Sequence, residues 1–307
     1  MTGRINQIRS RSHIYQARIN GARLVFSMNP APREAPIILY LHGGPGDACI
    51  PLTMRYNAEL EEDFRFINLD QRGSGLSYYP FASDESVTIS SMVEDIHRFV
   101  LTILRAYRQD SLILIGHSWG SVLGLEMVRR YPLLISHYIG LGQVVTMQGA
   151  LTLRQDLSRR SLPKWGQNVA GRESTLADLV MSVHELRQQG SIRTVFSTLG
   201  RVLSYVRSPY YSWKSLVNLG RGIQQSRSRL NGELEEVDFR KVTSYGAPVT
   251  FIGGRYDWHL PSILVERYAS TIRTDHRFVW FEHSGHSPHW DEPAHFAGLV
   301  RELCLPQ

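Results

Sequence analysis

Leu112-Ile-Leu-Ile-Gly-His-Ser-Trp-Gly-Ser121 joins an unbroken apolar run to a Gly-x-Ser-x-Gly pentapeptide centred on Ser118. A short apolar run of this kind reads as a strand buried on both faces, and Val122-Leu-Gly-Leu-Glu-Met-Val-Arg-Arg130 reads as the helix that follows it. A serine held in a sharp strand-to-helix turn presents its hydroxyl outward. Gly116 and Gly120 keep that turn free of Cβ atoms that would collide with neighbouring backbone. Ser118 is therefore the candidate nucleophile, and the bland alternative is an ordinary turn.

Upstream, Tyr15–Ile19 and Ala22–Ser27 flank Asn20-Gly21, the signature of a tight β-hairpin. Ile37-Ile-Leu-Tyr-Leu41 is a second buried-strand run and stops at His42-Gly-Gly-Pro-Gly46. Phe64–Asp70 is another, ending in Gln71-Arg-Gly-Ser-Gly75. Between Ile89 and Tyr107 the apolar residues Met92, Ile96, Phe99, Val100, Ile103 and Leu104 recur at helical spacing and lead into the serine strand. Strands alternating with helices predict an α/β fold: a mostly parallel twisted sheet with helices on both faces and ligands gathered at the carboxyl ends of the strands. The alternation stops after Ile139-Gly-Leu-Gly-Gln143 and resumes at Val249-Thr-Phe-Ile252. Residues 147–245 are thus expected to form an inserted helical cap, and residues 1–146 with 246–307 the catalytic domain.

The 307 residues are 42% hydrophobic and 20% charged, the balance of a soluble globular chain. No apolar run reaches membrane-spanning length, and the basic N-terminus has no apolar segment behind it, so we expect a cytoplasmic protein with no membrane partner. Cys49 and Cys304 are too few for a disulfide framework and belong to no paired metal or redox motif. The net charge of +6 is carried by scattered arginines without a nucleic-acid reader motif, so no nucleic-acid partner is expected. The insertion holds fifteen Lys/Arg against eight Asp/Glu, which accounts for the whole positive excess. Tyr205, Tyr210, Tyr211 and Trp213 are candidates for an apolar pocket beneath the cap, with packing inside the cap as the alternative.

A serine hydroxyl needs a histidine to take its proton and an acid to orient that histidine. In a nucleophile-elbow architecture these follow in the order serine, acid, histidine, on loops after later strands. Val249–Asp257 is a strand and a loop carrying one acid, and Arg277–His286 is the next strand with a histidine loop, so Asp257 and His286 are chosen. Glu282 and Asp70 compete for the acid, and His283 and His289 for the base. Gly285 gives the loop at His286 freedom to turn toward the elbow, which decides for His286. Histidines at 283, 286 and 289 lack the carboxylate or cysteine company of a metal site, so neither metal nor cofactor is expected. The amides of Gly43 or Gly44 and of Trp119 are the candidate donors to the oxyanion of a tetrahedral intermediate.

Taken together, His42-Gly-Gly-Pro-Gly46, Asp70-Gln-Arg-Gly-Ser-Gly75, Gly116-His-Ser-Trp-Gly-Ser121, Gly254-Arg-Tyr-Asp257 and Gly285-His-Ser287 resemble the proline iminopeptidase branch of the α/β-hydrolases. The resemblance implies an α/β-hydrolase fold, a triad of Ser118, Asp257 and His286, an oxyanion hole at Gly44 and Trp119, and a structural turn at Asp70 and Arg72. It also implies release of an N-terminal residue, often proline, from a short peptide or small amide. In that branch cap glutamates bind the substrate's amino group. The usual tryptophan-glutamate pair is not recognisable here, which leaves Glu185, Glu233, Glu235 and Glu236 as stand-ins. Esterases, thioesterases and amidases of small metabolites share the scaffold, as do non-catalytic ligand-binding members. A serine at the elbow argues against epoxide or haloalkane hydrolysis, where an aspartate stands there.

Overall fold

Among the described residues, nine strands form one sheet in the order β1-β2-β3-β5-β4-β6-β7-β8-β9. The structure, a computed structural model, describes residues 5–7, 13–153 and 195–305. Its strands are β1 Asn6–Gln7, β2 Ile14–Ile19, β3 Ala22–Met28, β4 Ile37–Leu41, β5 Arg65–Asp70, β6 Leu112–His117, β7 Ile135–Leu141, β8 Val249–Gly254 and β9 His276–Phe281. The first three pair antiparallel, β3 pairs antiparallel with β5, and every later pairing is parallel. The β2–β3 hairpin turns where expected, with Asn20 and Gly21 both at positive φ as a tight two-residue turn requires.

All residues of β4, β5, β6 and β8 are buried, as strands covered on both faces must be. Their side chains alternate between two cores. Leu39, Leu41, Leu112 and Leu114 face α2 (Ile89–Tyr107) and α3 (Trp119–Arg130), packing with Phe99, Ile103 and Val122. Ile38, Tyr40, Ile113 and Ile115 face the other way, toward α1 (Ile50–Tyr56) and the C-terminal helix, packing with Leu52, Phe296 and Val300. Helix α2 has the predicted limits because Thr88 accepts from Ser91 N–H in a reciprocal cap and Arg108 ends it in a left-handed conformation. Helix α3 starts at Trp119, three residues before the apolar periodicity suggests, since the turn at Ser118 is complete within one residue.

The segment expected to form the cap, residues 147–245, is tied near its two ends by one short pairing. Thr146 bridges Asp238 antiparallel, Met147 N–H donates to Val237 carbonyl and Phe239 N–H to Val145 carbonyl. Above it lie α4 (Val195–Val206) and the long α5 (Trp213–Glu235). After β8 come α6 (Ser262–Ala269), β9, the single turn α7 (Pro288–Asp291) and α8 (Pro293–Cys304). Among the described residues no helix is long and apolar enough to cross a membrane.

Candidate active site

Ser118 stands between β6 and α3 with φ 53° and ψ −119°, a region that favours glycine. Strain of this kind costs roughly 1–3 kcal/mol and persists only where surroundings impose it. They do so here. Ser118 N–H donates to Leu141 carbonyl at 2.9 Å, tying the elbow to β7. A Cβ on Gly116 would lie 2.6 Å from Gly120 carbonyl oxygen, and one on Gly120 would strike Leu41 carbonyl oxygen, so both glycines are demanded by close approach.

The loops after β8 and β9 bring Asp257 and His286 together. His286 Nδ1 lies 2.8 Å from Asp257 Oδ2, while Asp257 Oδ1 accepts the N–H groups of His259 (3.0 Å) and Leu260 (2.9 Å). Asp257 is 2% exposed and His286 8%. An acceptor at Nδ1 assigns the proton to that nitrogen and leaves Nε2 as the basic one. Two contacts set this imidazole at the elbow. His117, the residue before Ser118, donates from Nε2 to His286 carbonyl at 3.0 Å, and Gly142, next to Leu141, lies so near that a Cβ there would be 2.8 Å from His286 Cε1. Burial, and next the neighbouring His286, hold His117 well below the usual imidazole range, which keeps this positioning group neutral.

The competing residues are engaged elsewhere. Glu282 forms an exposed pair with Arg255 through Nε (2.8 Å) and Nη2 (2.5 Å). Asp70 accepts from Leu76 N–H and from Tyr211 hydroxyl, both at 2.7 Å, and burial pushes its carboxyl up to about 7. His289 is fully buried with Nε2 2.8 Å from Tyr40 hydroxyl, and His283 has its backbone N–H on Glu292. His286 and His289 thus face different partners, and among the described residues no His, Cys, Asp and Glu are grouped to hold a metal.

On the opposite side of the elbow, Gly43 approaches Ser118 so closely that a Cβ would be 3.3 Å from the serine Cβ. The sequence pointed to the glycines but not to what holds them. His42 donates from Nδ1 to Gly43 carbonyl (2.8 Å) and accepts Gln71 N–H at Nε2 (3.0 Å). Burial lowers its pKa to about 4, so it stays neutral in this role. Gln71 then donates from Nε2 to His42 carbonyl and accepts from Trp119 Nε1–H, each at 2.9 Å. One glutamine side chain therefore joins the glycine loop to Trp119, the two places expected to supply oxyanion donors. The only sequence signal was that Gln71 belongs to the second glycine-rich motif. Arg72 serves the turn, gripping Asp95 (2.6 and 2.8 Å) and Glu85 (3.0 Å).

The cap residues fall differently from the expected pocket. Tyr205 and Tyr211 spend their hydroxyls fastening the cap to the core, on Ala48 carbonyl (2.5 Å) and Asp70 (2.7 Å). Tyr210 lines a cavity of about 620 Å³ with Leu76, Tyr79, Lys214 and Arg221, a space that Ser118, Asp257 and His286 do not line. Trp213 is 80% exposed because it opens α5 on the outer side. Glu233 accepts Ile89 N–H at 2.8 Å, committing its carboxylate to the start of α2. Glu185 lies outside the described residues.

A strained serine elbow followed by an acid loop and a histidine loop on this sheet defines a class. The chain belongs to the α/β-hydrolase fold family, whose model matches residues 36–293. It is 28% identical to a Bacillus subtilis protein named probable aminopeptidase YbaC, over 92% of this chain and 93% of that protein. It is 23% identical to a proline iminopeptidase of Elizabethkingia meningoseptica, over 90% and 91% of the two chains. Among solved structures it superposes on a proline iminopeptidase of Mycobacterium smegmatis with TM-score 0.67, at 20% identity, covering 98% of this chain and 97% of that one. At that identity the likeness speaks for the fold.

Proposed function

We propose that the protein is a serine hydrolase that works through an acyl-enzyme and releases the N-terminal residue of small peptides or amides, in the manner of a prolyl aminopeptidase. The observation that carries the mechanism is the His286–Asp257 pair fixed beside the strained Ser118 elbow. In this reading Ser118 Oγ attacks the substrate carbonyl and its proton passes to His286 Nε2. Asp257 stabilises the imidazolium that forms. Backbone N–H groups of Trp119 and of the Gly43-Gly44 loop receive the oxyanion. Collapse of the tetrahedral intermediate expels the amine, protonated by His286, and water activated by the same histidine hydrolyses the acyl-Ser118 ester. The aminopeptidase form is supported by similarity along almost the whole chain to a relative named for that activity.

A second reading, hydrolysis of a carboxylic ester or non-peptide amide, is favoured by the positive cap and by Glu233 being occupied at α2. A panel of prolyl and alanyl arylamides, their N-acetylated counterparts and short acyl aryl esters separates the two. The aminopeptidase reading expects turnover of the free-amine substrates only. Turnover confined to esters and N-acyl amides sinks it. In either case an organophosphonate should label the wild type and not Ser118→Ala, whose kcat should fall by at least ~10⁴-fold.

A further inference from the structure

The loop that carries His286 is fastened to the cap as well as to the core. Arg201 descends from α4 and places Nη2 2.9 Å from Asp291 Oδ1, in a pair whose side chains are 14% and 4% exposed. Its guanidinium lies 5.2 Å from the centre of the Trp290 ring. Asp291 Oδ2 accepts the N–H of Gly285 at 3.0 Å, one residue before His286. On the far side of the imidazole, His286 carbonyl is held by His117. The adjacent carboxylate, Glu292, holds His283 N–H and Ser284 hydroxyl, contacts that stay within the core domain. Asp291 instead links the cap, through Arg201, to the backbone one residue before the base.

Helix α4 is itself seated by other ties. Arg55 Nη1 on α1 donates to Gly200 carbonyl (3.0 Å) and Ser204 hydroxyl (3.2 Å), and Tyr205 hydroxyl reaches Ala48 carbonyl. These bracket Arg201 and set how far its guanidinium reaches. A short buried pair between ionised groups is directional and intolerant of a missing partner, since the remaining charge is left in a poorly solvated place. Displacement of α4 would withdraw the cation from Asp291 Oδ1 and loosen the carboxylate's grip on Gly285 N–H.

We propose that Arg201 is a positioning residue: through Asp291 it makes the alignment of His286 conditional on the docking of cap helix α4. The proposal rests on the reading of His286 as the general base. The docked helix then completes the geometry of the base through the Arg201–Asp291–Gly285 link. Catalytic alignment and cap seating are then a single structural state.

The test is a kinetic cycle on whichever panel substrate the wild type hydrolyses, with the variants Arg201→Ala, Asp291→Ala, their double, Arg201→Lys and Arg55→Ala. An imidazole displaced by about 1 Å costs on the order of 10²-fold, so Arg201→Ala should lower kcat by ~10- to 100-fold with KM changed less than ~3-fold. Arg201→Lys should recover most of the loss. The double variant should be no slower than Asp291→Ala, because both single changes cut one link. Arg55→Ala weakens the seating of the same helix but leaves the Arg201–Asp291 link itself, and should lower kcat by clearly less than Arg201→Ala does. Additive losses in the double variant, a loss confined to KM, or equal losses in Arg201→Ala and Arg55→Ala would overturn the proposal. Near-UV circular dichroism at the assay temperature establishes folding, and if Arg201→Ala fails it, Arg201→Gln, which keeps a donor but no charge, must show the same kcat deficit in milder form or the proposal fails. Loss of organophosphonate labelling in the wild type would instead break the underlying hydrolase reading.

Discussion

Strand β6 and helix α5 show two ways of holding a segment in place. All six residues of Leu112–His117 are buried, and hydrophobic packing on both faces dictates where the strand ends and hence where Ser118 projects. Helix α5 is twenty-three residues long and buries Gly222, Ser226 and Leu230, a stripe one side chain wide. It is held by contacts such as Gln225 Nε2 on Gly73 and Tyr79 carbonyls (2.9 and 3.0 Å) and Glu233 on Ile89 N–H (2.8 Å). A segment buried on both faces moves only if the core is broken, whereas one that buries a single stripe and adds polar ties is held less firmly. The sheet and the loops at its strand ends therefore carry the proposed reacting groups, and the cap is the part held by fewer buried contacts.

The strongest way to break that contrast is at the acid. If the sheet owns the chemistry, Asp257→Asn should lower kcat by about 10⁴-fold by leaving His286 in the wrong tautomer, with binding little changed. Glu282→Gln, one strand-end away, should stay within about twofold, since an exposed pair such as Glu282–Arg255 contributes little. Steady-state kinetics on the best panel substrate decide this, and a near-normal rate for Asp257→Asn would return the acid to Glu282.

A finer test falls on Gln71, which belongs to the sheet side but acts like the cap, through polar ties alone. Gln71→Ala deletes the bonds to His42 carbonyl and to Trp119 Nε1–H together. The Gly43-Gly44 loop and Trp119 then lose their common tether, and kcat should fall by ~10- to 100-fold, less than or comparable to the loss of one oxyanion donor. Unchanged kcat would show that packing alone positions both donors.

What the sequence disclosed follows the same division. Periodicity and turn chemistry placed the hairpin at Asn20-Gly21, the full span of α2 and the elbow, because burial and backbone geometry are encoded locally. The choice of Asp257 over Glu282 rested on loop order, and the decisive difference, an aspartate buried against His286 and a glutamate spent on Arg255, exists only in three dimensions. Gln71 was hidden because its partners lie 29 and 48 positions away. The aromatics of the cap were ambiguous because a narrow helix stripe does not reveal which way its flanking residues point. Tyr211 turned inward to Asp70 while Trp213, two positions on, turned to solvent.

Asp70 sits where the two regimes meet, and its titration separates them through stability rather than rate. It is fully buried, takes Leu76 N–H from the core and Tyr211 hydroxyl from the cap on Oδ2, and leaves Oδ1 without a hydrogen-bond partner among the described residues. Its carboxyl ordinarily titrates at 3.8, and burial raises that to about 7 in the folded protein. Across this window the folded protein holds a proton that the unfolded chain has released, so stability falls as pH rises from about 4 to about 7. His42 opposes part of this trend: its pKa drops from 6.5 to about 4 on folding, so its contribution is lost as pH falls through that range. A wild-type profile alone therefore blends the two. Asp70→Asn isolates the carboxylate, because the amide oxygen can take both donors now on Oδ2 and the amide nitrogen replaces the unpartnered Oδ1. Chemical denaturation at several pH values should show the wild type losing stability relative to Asp70→Asn between about pH 4 and 7, by an amount on the order of a few kcal/mol, with a constant difference outside that window. A pH-independent difference would mean that the cap tyrosine and Leu76 N–H compensate the burial of the charge, and that the seam between cap and sheet is held as firmly as the core.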